Sequence, residues 1–409
     1  MAIANRTIGV VVGCALLGSA VGAFAQDWPQ WRGPNRDGKV AGFDAPQTWP
    51  KTLESKWRKS VGTGDATPAL VGDKLYVFTR QGGDEVIRCL DAESGKPLWQ
   101  EKYAARAVTG APSSHPGPRS SPTVAEGKVV TLGVGGILSC LDAGTGKVAW
   151  RSDVFASHVP QFYTAMSPIV VDGMCIAHLG GEGEGAVIAF DLATGNQKWK
   201  LAGDAPAYAS PVLMTVEGAK QLVVQGEKSL AGIAVSDGTQ LWRVSTPPQR
   251  RYFLNSATPI VDGSTVIFTG QGAGTKALAI EKRDSGFAAK ELWANEQLGT
   301  GYNTPVLKDG LLFGLSDRGN FFCMSARTGK AAWTDTGRRD RFGAIVDAGE
   351  VLLALPANSQ LIAFKPSGKK YVQVAAIKVA DSPTYAHPVV AGKRIFVKDR
   401  DALTMFAVE

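Results

Sequence analysis

The chain is 409 residues long, 44% hydrophobic and 20% charged, with 48 glycines, 22 prolines and a formal net charge of +7. These proportions exclude a disordered or collagen-like chain, and the mild charge, interspersed with acidic residues, gives no reason to expect nucleic-acid binding. A membrane span needs roughly 18 or more uninterrupted apolar residues, and the one such stretch lies at the extreme N-terminus.

That stretch has the parts of a secretory signal: Arg6, an apolar run from Ile8 to Phe24, and small residues at Ala23 and Ala25. Cleavage is expected after Ala25, so residues 1–25 are a signal peptide and the mature protein is periplasmic or secreted, with no transmembrane segment. Cys14 follows too short an apolar run to act as a lipid acceptor. Residues 26–56 contain Trp28, Trp31, Trp49 and four prolines and read as an extended segment. Three tryptophans are too much apolar surface to leave in water, so this segment should strap across the side or one face of the domain that follows, the alternative being a docking peptide for another protein.

From residue 57 onward a period governs the chain. Cys89-Leu-Asp-Ala-Glu-Ser-Gly-Lys-Pro-Leu-Trp99 recurs as Cys140-Leu-Asp-Ala-Gly-Thr-Gly-Lys-Val-Ala-Trp150 and as Ala189-Phe-Asp-Leu-Ala-Thr-Gly-Asn-Gln-Lys-Trp199, with weaker copies ending at Trp242, Trp293 and Trp333. Upstream of each copy stands a hydroxylated residue followed by proline and branched apolar residues: Thr67-Pro68, Ser121-Pro122, Ser167-Pro168, Ser210-Pro211, Thr258-Pro259 and Thr304-Pro305. Two degenerate copies, at Gly343-Ala344 and His387-Pro388, bring the count to eight units.

Within each unit, short apolar or alternating runs are separated by turn residues and no helical period is sustained. Four short antiparallel strands per unit of roughly 40 to 50 residues predict an all-β, eight-bladed β-propeller occupying residues 57–409 as a single domain. The last unit ends soon after its third strand, whereas Lys56-Trp57-Arg58 precedes the first unit. The N-terminal strand should therefore complete the last blade and remove an open sheet edge, giving a closed ring that is expected to be monomeric. In the repeated Asp-x-x-x-Gly-Lys-x-x-Trp, the Asp and Gly suit a tight turn. Trp57, Trp99, Trp150, Trp199, Trp242, Trp293 and Trp333 read as a structural girdle, each wedged against the neighbouring blade with its N–H on a turn carbonyl.

These residues resemble the tryptophan-docking repeat of pyrroloquinoline quinone (PQQ) type propellers, which quinoprotein alcohol dehydrogenases share with BamB-type outer-membrane assembly proteins. The opening Asp27-Trp-Pro-Gln-Trp-Arg-Gly-Pro-Asn-Arg-Asp-Gly38 is similar to the start of secreted bacterial PQQ-like repeat proteins. The quinoprotein branch would imply PQQ, a calcium ion in a cage of oxygen ligands, a catalytic aspartate and a disulfide between adjacent cysteines. This sequence has no adjacent cysteine pair and no acidic cluster to hold calcium. No cofactor is expected, and PQQ with calcium enters only under the alternative of a small quinoprotein oxidoreductase. The BamB-type branch implies a noncatalytic scaffold that binds a protein or ligand.

In a propeller the loops leading into the innermost strands surround one mouth of the channel. Three positions before the proline or its equivalent stand Asp65, Arg119, Ala165, Tyr208, Ser256, Tyr302, Arg341 and Tyr385, with Tyr163, Asn255, Asn303 and His387 nearby. Tyrosine and arginine combine contact area with directional hydrogen bonds. Arg250, Arg251, Arg338 and Arg339 fall in the same class of loop, so the rim should be cationic and favour a protein partner or an anionic small ligand.

Other constellations carry less. Cys175 and His178 lie three apart on a strand and so point to opposite faces, and His178 should sit at a turn edge. His115, in Ser113-Ser-His-Pro-Gly-Pro-Arg119, has serines beside it but no identifiable acid to orient its imidazole. Cys89, Cys140 and Cys323 occupy equivalent positions in different blades, too far apart for disulfides. The glycine runs at 180–185 and 270–274 belong to strand turns with no helix following, so they are not phosphate loops.

Overall fold

The structure, a computed structural model, describes residues 27–250 and 254–408. The expected signal peptide and Arg251 lie outside the described residues. Eight four-stranded antiparallel sheets surround a central axis. Seven are formed from consecutive strands, spanning residues 69–104, 123–152, 169–203, 212–245, 260–295, 306–334 and 343–378. The eighth combines three C-terminal strands with Glu54–Ser60, which pairs antiparallel with Ala402–Ala407. The ring is thus closed by the strand that carries Trp57, as the repeat arithmetic requires.

Each blade makes the same local error in its outer pairing. A register shift falls at Cys89/Leu90, Cys140/Leu141, Ala189/Phe190, Gly232/Ile233, Ala277/Leu278, Cys323/Met324 and Ala363/Phe364, and at Ser55/Trp57 in the eighth blade. Such a bulge re-aims the side chain next to it, and here it stands beside the tryptophan where the blade has one. The indole N–H of Trp57, Trp99, Trp150, Trp199, Trp293 and Trp333 donates to Ala92, Ala143, Leu192, Val235, Ala326 and Ser367 respectively, each in the following blade's turn.

Trp242 departs from the expected girdle. Its N–H donates to Gln221 Oε1 of its own blade at 2.6 Å, although its ring packs among Leu278 and Ile280 of the next blade. The reason is local: the fifth blade replaces the tight turn by a long hairpin, Gly274–Arg283 with Gly286–Asn295, so no turn carbonyl waits for the indole.

The core lies between blades. Val130, Leu132 and Leu138 of the second blade interleave with Ala177, Leu179 and Ile188 of the third, and the last blade packs likewise on its neighbours. Cys89, Cys140, Cys175 and Cys323 are free and buried within this packing. His178 is not at a turn edge: it is 4% exposed and its Nε2 is 2.8 Å from the Asp204 carbonyl oxygen.

Around the axis the hydroxylated residue before each proline forms a second girdle. The backbone N–H groups of His387, Thr67, Ser121, Ser167, Ser210 and Thr258 donate to the hydroxyls of Thr67, Ser121, Ser167, Ser210, Thr258 and Thr304, at 2.9 to 3.2 Å. Each blade is stitched to the next at the channel wall by the side chain that the sequence repeats. The interruption falls at the two degenerate copies, Gly343 and His387.

Candidate functional site

Residues 27–40 stop one end of the channel. Asp27 accepts the Gly72 N–H, Trp28 exchanges backbone hydrogen bonds with Leu70, and Pro29 accepts from Val124 N–H. The chain leaves through Val40 N–H to the Asp347 carbonyl and Asp347 N–H to the Gly38 carbonyl. Gly72 and Asp347 lie at the far ends of their innermost strands, so the segment crosses the face opposite the loops that enter those strands. Pro34 and Asn35 remain exposed there, while Trp31, Arg32 and Arg36 run inward.

The inward side chains reach the remaining blades. Among the described residues the Arg32 guanidinium donates only to carbonyls, those of Arg36, Asp37, Thr304 and Pro305. Arg36 donates to the carbonyls of Ser167, Pro168 and Pro211 and to Gln30 Oε1. These bonds hold both arginines in the left-handed backbone region, φ 59° and 58°, which costs roughly 1–2 kcal/mol per residue without compensation. Trp31 donates to Thr258 Oγ1 at 3.0 Å and meets His387 edge to face, centroids 4.5 Å apart. Residues 27–40 thus cross one face and also fill the axis, a role that the sequence pattern does not encode.

Above Trp31 lies a pocket of about 470 Å³ at the opposite mouth. Each of the eight loops entering an innermost strand contributes to its wall. The structure brings together Asp65, Arg119, Tyr208, Tyr302, Asn303, Arg341, Tyr385 and His387, along with Ala165 and Ser256. Two others stand apart. Tyr163 is buried against Val108 and Val134, its hydroxyl accepting the Thr109 N–H. Asn255 lines a neighbouring cavity and donates to the carbonyls of Gly226, Glu227 and Thr246.

The rim charges are also redistributed relative to expectation. Arg339 is paired with Asp335 at 2.8 Å and lies over the Phe321 ring, so its charge is answered within its own blade. Arg250 lines the neighbouring cavity, and Arg338 is exposed outside the pocket. Arg119 crosses the pocket wall, donating to Tyr208 Oη, His115 O and Phe162 O. Arg341 lies over both Tyr302 and Phe342 at 5.4 Å. The pocket's positive character therefore comes from Arg119 and Arg341 at the wall and rim, with Arg32 beneath the floor.

One contact is absent from the sequence reading. His115 Nδ1 is 2.7 Å from Asp65 Oδ2, so the imidazole does have an acid partner, supplied by a loop 50 positions earlier. The ring lies edge-on to Tyr385 at 4.8 Å, as part of an aromatic arc. Tyr302 stacks on Phe342 at 4.3 Å, Phe342 meets Tyr385 at 5.6 Å, and His115 continues the row. This packing makes the Asp65–His115 pair a wall element.

At the floor, burial pushes the His387 imidazole well below its usual pKa, and the Arg32 charge adds to the effect. Burial also raises the Tyr208 hydroxyl to about 12, against the opposing pull of Arg119. His387 is neutral and Tyr208 is a donor at neutral pH.

The donor set does not fit a calcium-bound quinone. Calcium takes six to eight oxygen ligands, usually with several carboxylates. The carboxylate in the pocket lining, Asp65, is engaged by His115, and among the described residues no group of three or more His, Cys, Asp or Glu could hold a metal ion.

A family model described as outer membrane protein assembly factor BamB matches residues 36–130 and 83–335. BamB of Burkholderia pseudomallei (strain K96243) is 26% identical over 362 residues, covering 85% of this chain and 86% of that protein. BamB of Yersinia pestis is 24% identical over 326 residues, 76% of this chain and 68% of its own length. Quinohemoprotein alcohol dehydrogenase ADH IIB of Pseudomonas putida is 39% identical over 93 residues, which cover 20% of this chain and 12% of that enzyme. Among solved structures, BamB from Moraxella catarrhalis superposes with TM-score 0.65 at 15% identity, covering 88% of this chain and 98% of that one. A europium-containing methanol dehydrogenase superposes with TM-score 0.71 at 14% identity, covering 94% and 98%. At these identities the structural likeness shows the fold.

Proposed function

We propose, from the premise that this chain belongs to the outer membrane protein assembly factor BamB family, that it is a periplasmic or secreted noncatalytic scaffold that binds an anionic ligand, or an acidic segment of a protein partner, at the axial pocket. The observation that supports this most directly is the convergence of all eight entry loops on one blind, positively charged, aromatic-walled pocket. A stopped channel cannot conduct, so the mouth above the stopper is left with recognition. Tyrosine and arginine at a concave centre are the residue types that dominate interface energetics. Among the described residues no helix is long and apolar enough to cross a membrane.

The quinoprotein alternative fares less well because the pocket's single engaged carboxylate does not suit calcium. No cofactor is proposed. The testing experiment has two arms on the purified protein. A fluorescently labelled glutamate-rich peptide with a central phenylalanine should bind, and binding should weaken on Arg119→Ala and Arg341→Ala. Calorimetric titration with PQQ, with and without calcium, and a dye-linked alcohol oxidation assay should give neither binding nor turnover. Calcium-dependent PQQ binding with turnover would replace the scaffold by an oxidoreductase.

A further inference from the structure

The floor of the axial pocket is unfinished. His387 is 3% exposed, lines the pocket, and among the described residues neither ring nitrogen has a hydrogen-bond partner. It stands where six other blades place a hydroxyl that binds its neighbour, and beside it the seventh blade has Gly343. Gly343 has no side chain to offer, and a Cβ there would press Leu315 and Pro356 at 3.0 Å. Leaving a buried polar group unsatisfied is costly, a cost that a group entering the pocket would recover.

The electrostatics say which kind of group. Arg32 and Arg36 satisfy their N–H groups on carbonyls and an amide, which leaves their positive charges in place beneath a floor of low dielectric. Asp37 is the carboxylate acting on Arg32. A negatively charged oxygen on the floor would accept the His387 ring N–H and face that charge. Above the floor, the Tyr302–Phe342–Tyr385 arc offers apolar ring faces and edges to whatever carries the oxygen. A volume of about 470 Å³ is at the small end of ligand sites.

We propose that the axial pocket binds a small, single-ring aromatic carboxylate, with the carboxylate on the His387 floor and the ring against the Tyr302–Phe342–Tyr385 arc. This rests on the scaffold reading above and assigns the ligand class of the same site. The carboxylate matches the floor charge and the unpartnered imidazole; the ring matches the arc. A neutral ring leaves the floor unanswered, and a carboxylate without a ring leaves the arc unused.

The test is calorimetric titration of the mature protein with benzoate, its uncharged isostere benzamide, and acetate at fixed ionic strength. Benzoate should bind at least tenfold more tightly than either. His387→Leu should remove that margin, and His387→Asn, which keeps an N–H donor, should restore part of it. If the variants do not fold, ¹⁵N-histidine NMR of the wild type serves instead: benzoate should shift the His387 ring resonances. Benzamide binding as tightly as benzoate, or shifts confined to His115 and His158, would overturn the assignment. Absence of benzoate binding while the acidic peptide still binds overturns the ligand class alone. Absence of both removes the mouth reading as well.

Discussion

The hydroxyl of Thr67 accepts the backbone N–H of His387 at 2.9 Å, joining residues 320 positions apart. This bond joins the first and last blades at the channel wall, while the pairing of Glu54–Ser60 with Ala402–Ala407 closes the same junction at the outside. The junction between the two ends of the repeat is therefore held at both radii. Thr67 also donates its own backbone N–H to Ser121 Oγ, so a single residue links the closure to the rest of the ring.

Removing that hydroxyl is predicted to weaken closure. Thr67→Val keeps the shape but leaves the buried His387 N–H without an acceptor, a loss of about 1–3 kcal/mol. Thr67→Ser keeps the acceptor and should lose much less. Thermal unfolding should rank the three proteins wild type, Ser, Val, and equal midpoints for Ser and Val would mean that the hydroxyl contributes nothing to closure.

Glycine at the docking turn carries two constraints that can be separated. Gly146 has φ +74° and a Cβ there would come within 2.4 Å of the Trp99 ring; Gly127, in the same blade, has φ +71° and nothing within 4 Å. Alanine at either position meets the left-handed backbone cost of about 1–2 kcal/mol, but only Gly146→Ala adds overpacking of about 1–3 kcal/mol. Chemical denaturation should show the larger loss for Gly146→Ala. Equal losses would show that backbone conformation alone conserves stability at the turn.

The propeller was legible because its determinants repeat. Asp91, Ser94, Gly95 and Trp99 each have a job within one turn or between adjacent blades, and repetition of such residues advertises the period. Strand closure was legible for the same reason: Trp57 is a motif residue out of place. Counting back three positions from each proline or its equivalent reaches eight residues that all line the pocket, since the entry loops share a geometry. What did not show is what occurs once. The stopper acts through Arg32 and Arg36 on carbonyls of distant blades, and backbone carbonyls leave no mark in a sequence. The Asp65–His115 pair joins loops of two blades, and nothing in either loop names the other. Trp242 fits the motif by position, but its docking depends on a turn that the next blade lacks.

Electrostatic capture at the mouth predicts a salt-dependent affinity. Arg341 is exposed and among the described residues makes only ring contacts, whereas Arg119 is held by three hydrogen bonds. Arg341→Ala should therefore cost binding of the acidic peptide with little effect on stability, and Arg119→Ala should cost both. An exposed ion pair contributes roughly 0.2–1 kcal/mol and is screened beyond about 10 Å at 0.1 M salt, so the Arg341 effect should shrink as salt rises. Fluorescence anisotropy at low and high ionic strength checks this; an Arg341→Ala deficit that is independent of salt would mean that the contact is one of shape.

Lys398 gives the fold an inverted response to alkali. It is 1% exposed, and its ammonium donates to the carbonyls of Gly64, Asp399 and Arg400. Burial lowers its pKa from 10.5 to about 8, outweighing the opposing pull of Asp65, Asp399 and Asp401. Between those two values the unfolded chain holds a proton that the folded chain has released, so stability rises with pH across this window. Below pH 8 both states are protonated and the burial penalty is present in full. Lys398→Met lacks this titration. Relative to that variant, wild type should gain roughly 2–3 kcal/mol between pH 7 and pH 10, measured as the difference in denaturant unfolding free energies so that other titrating groups cancel. A difference that stays constant or moves the other way would place the folded-state pKa of Lys398 at or above its ordinary value and remove the burial penalty assigned to it.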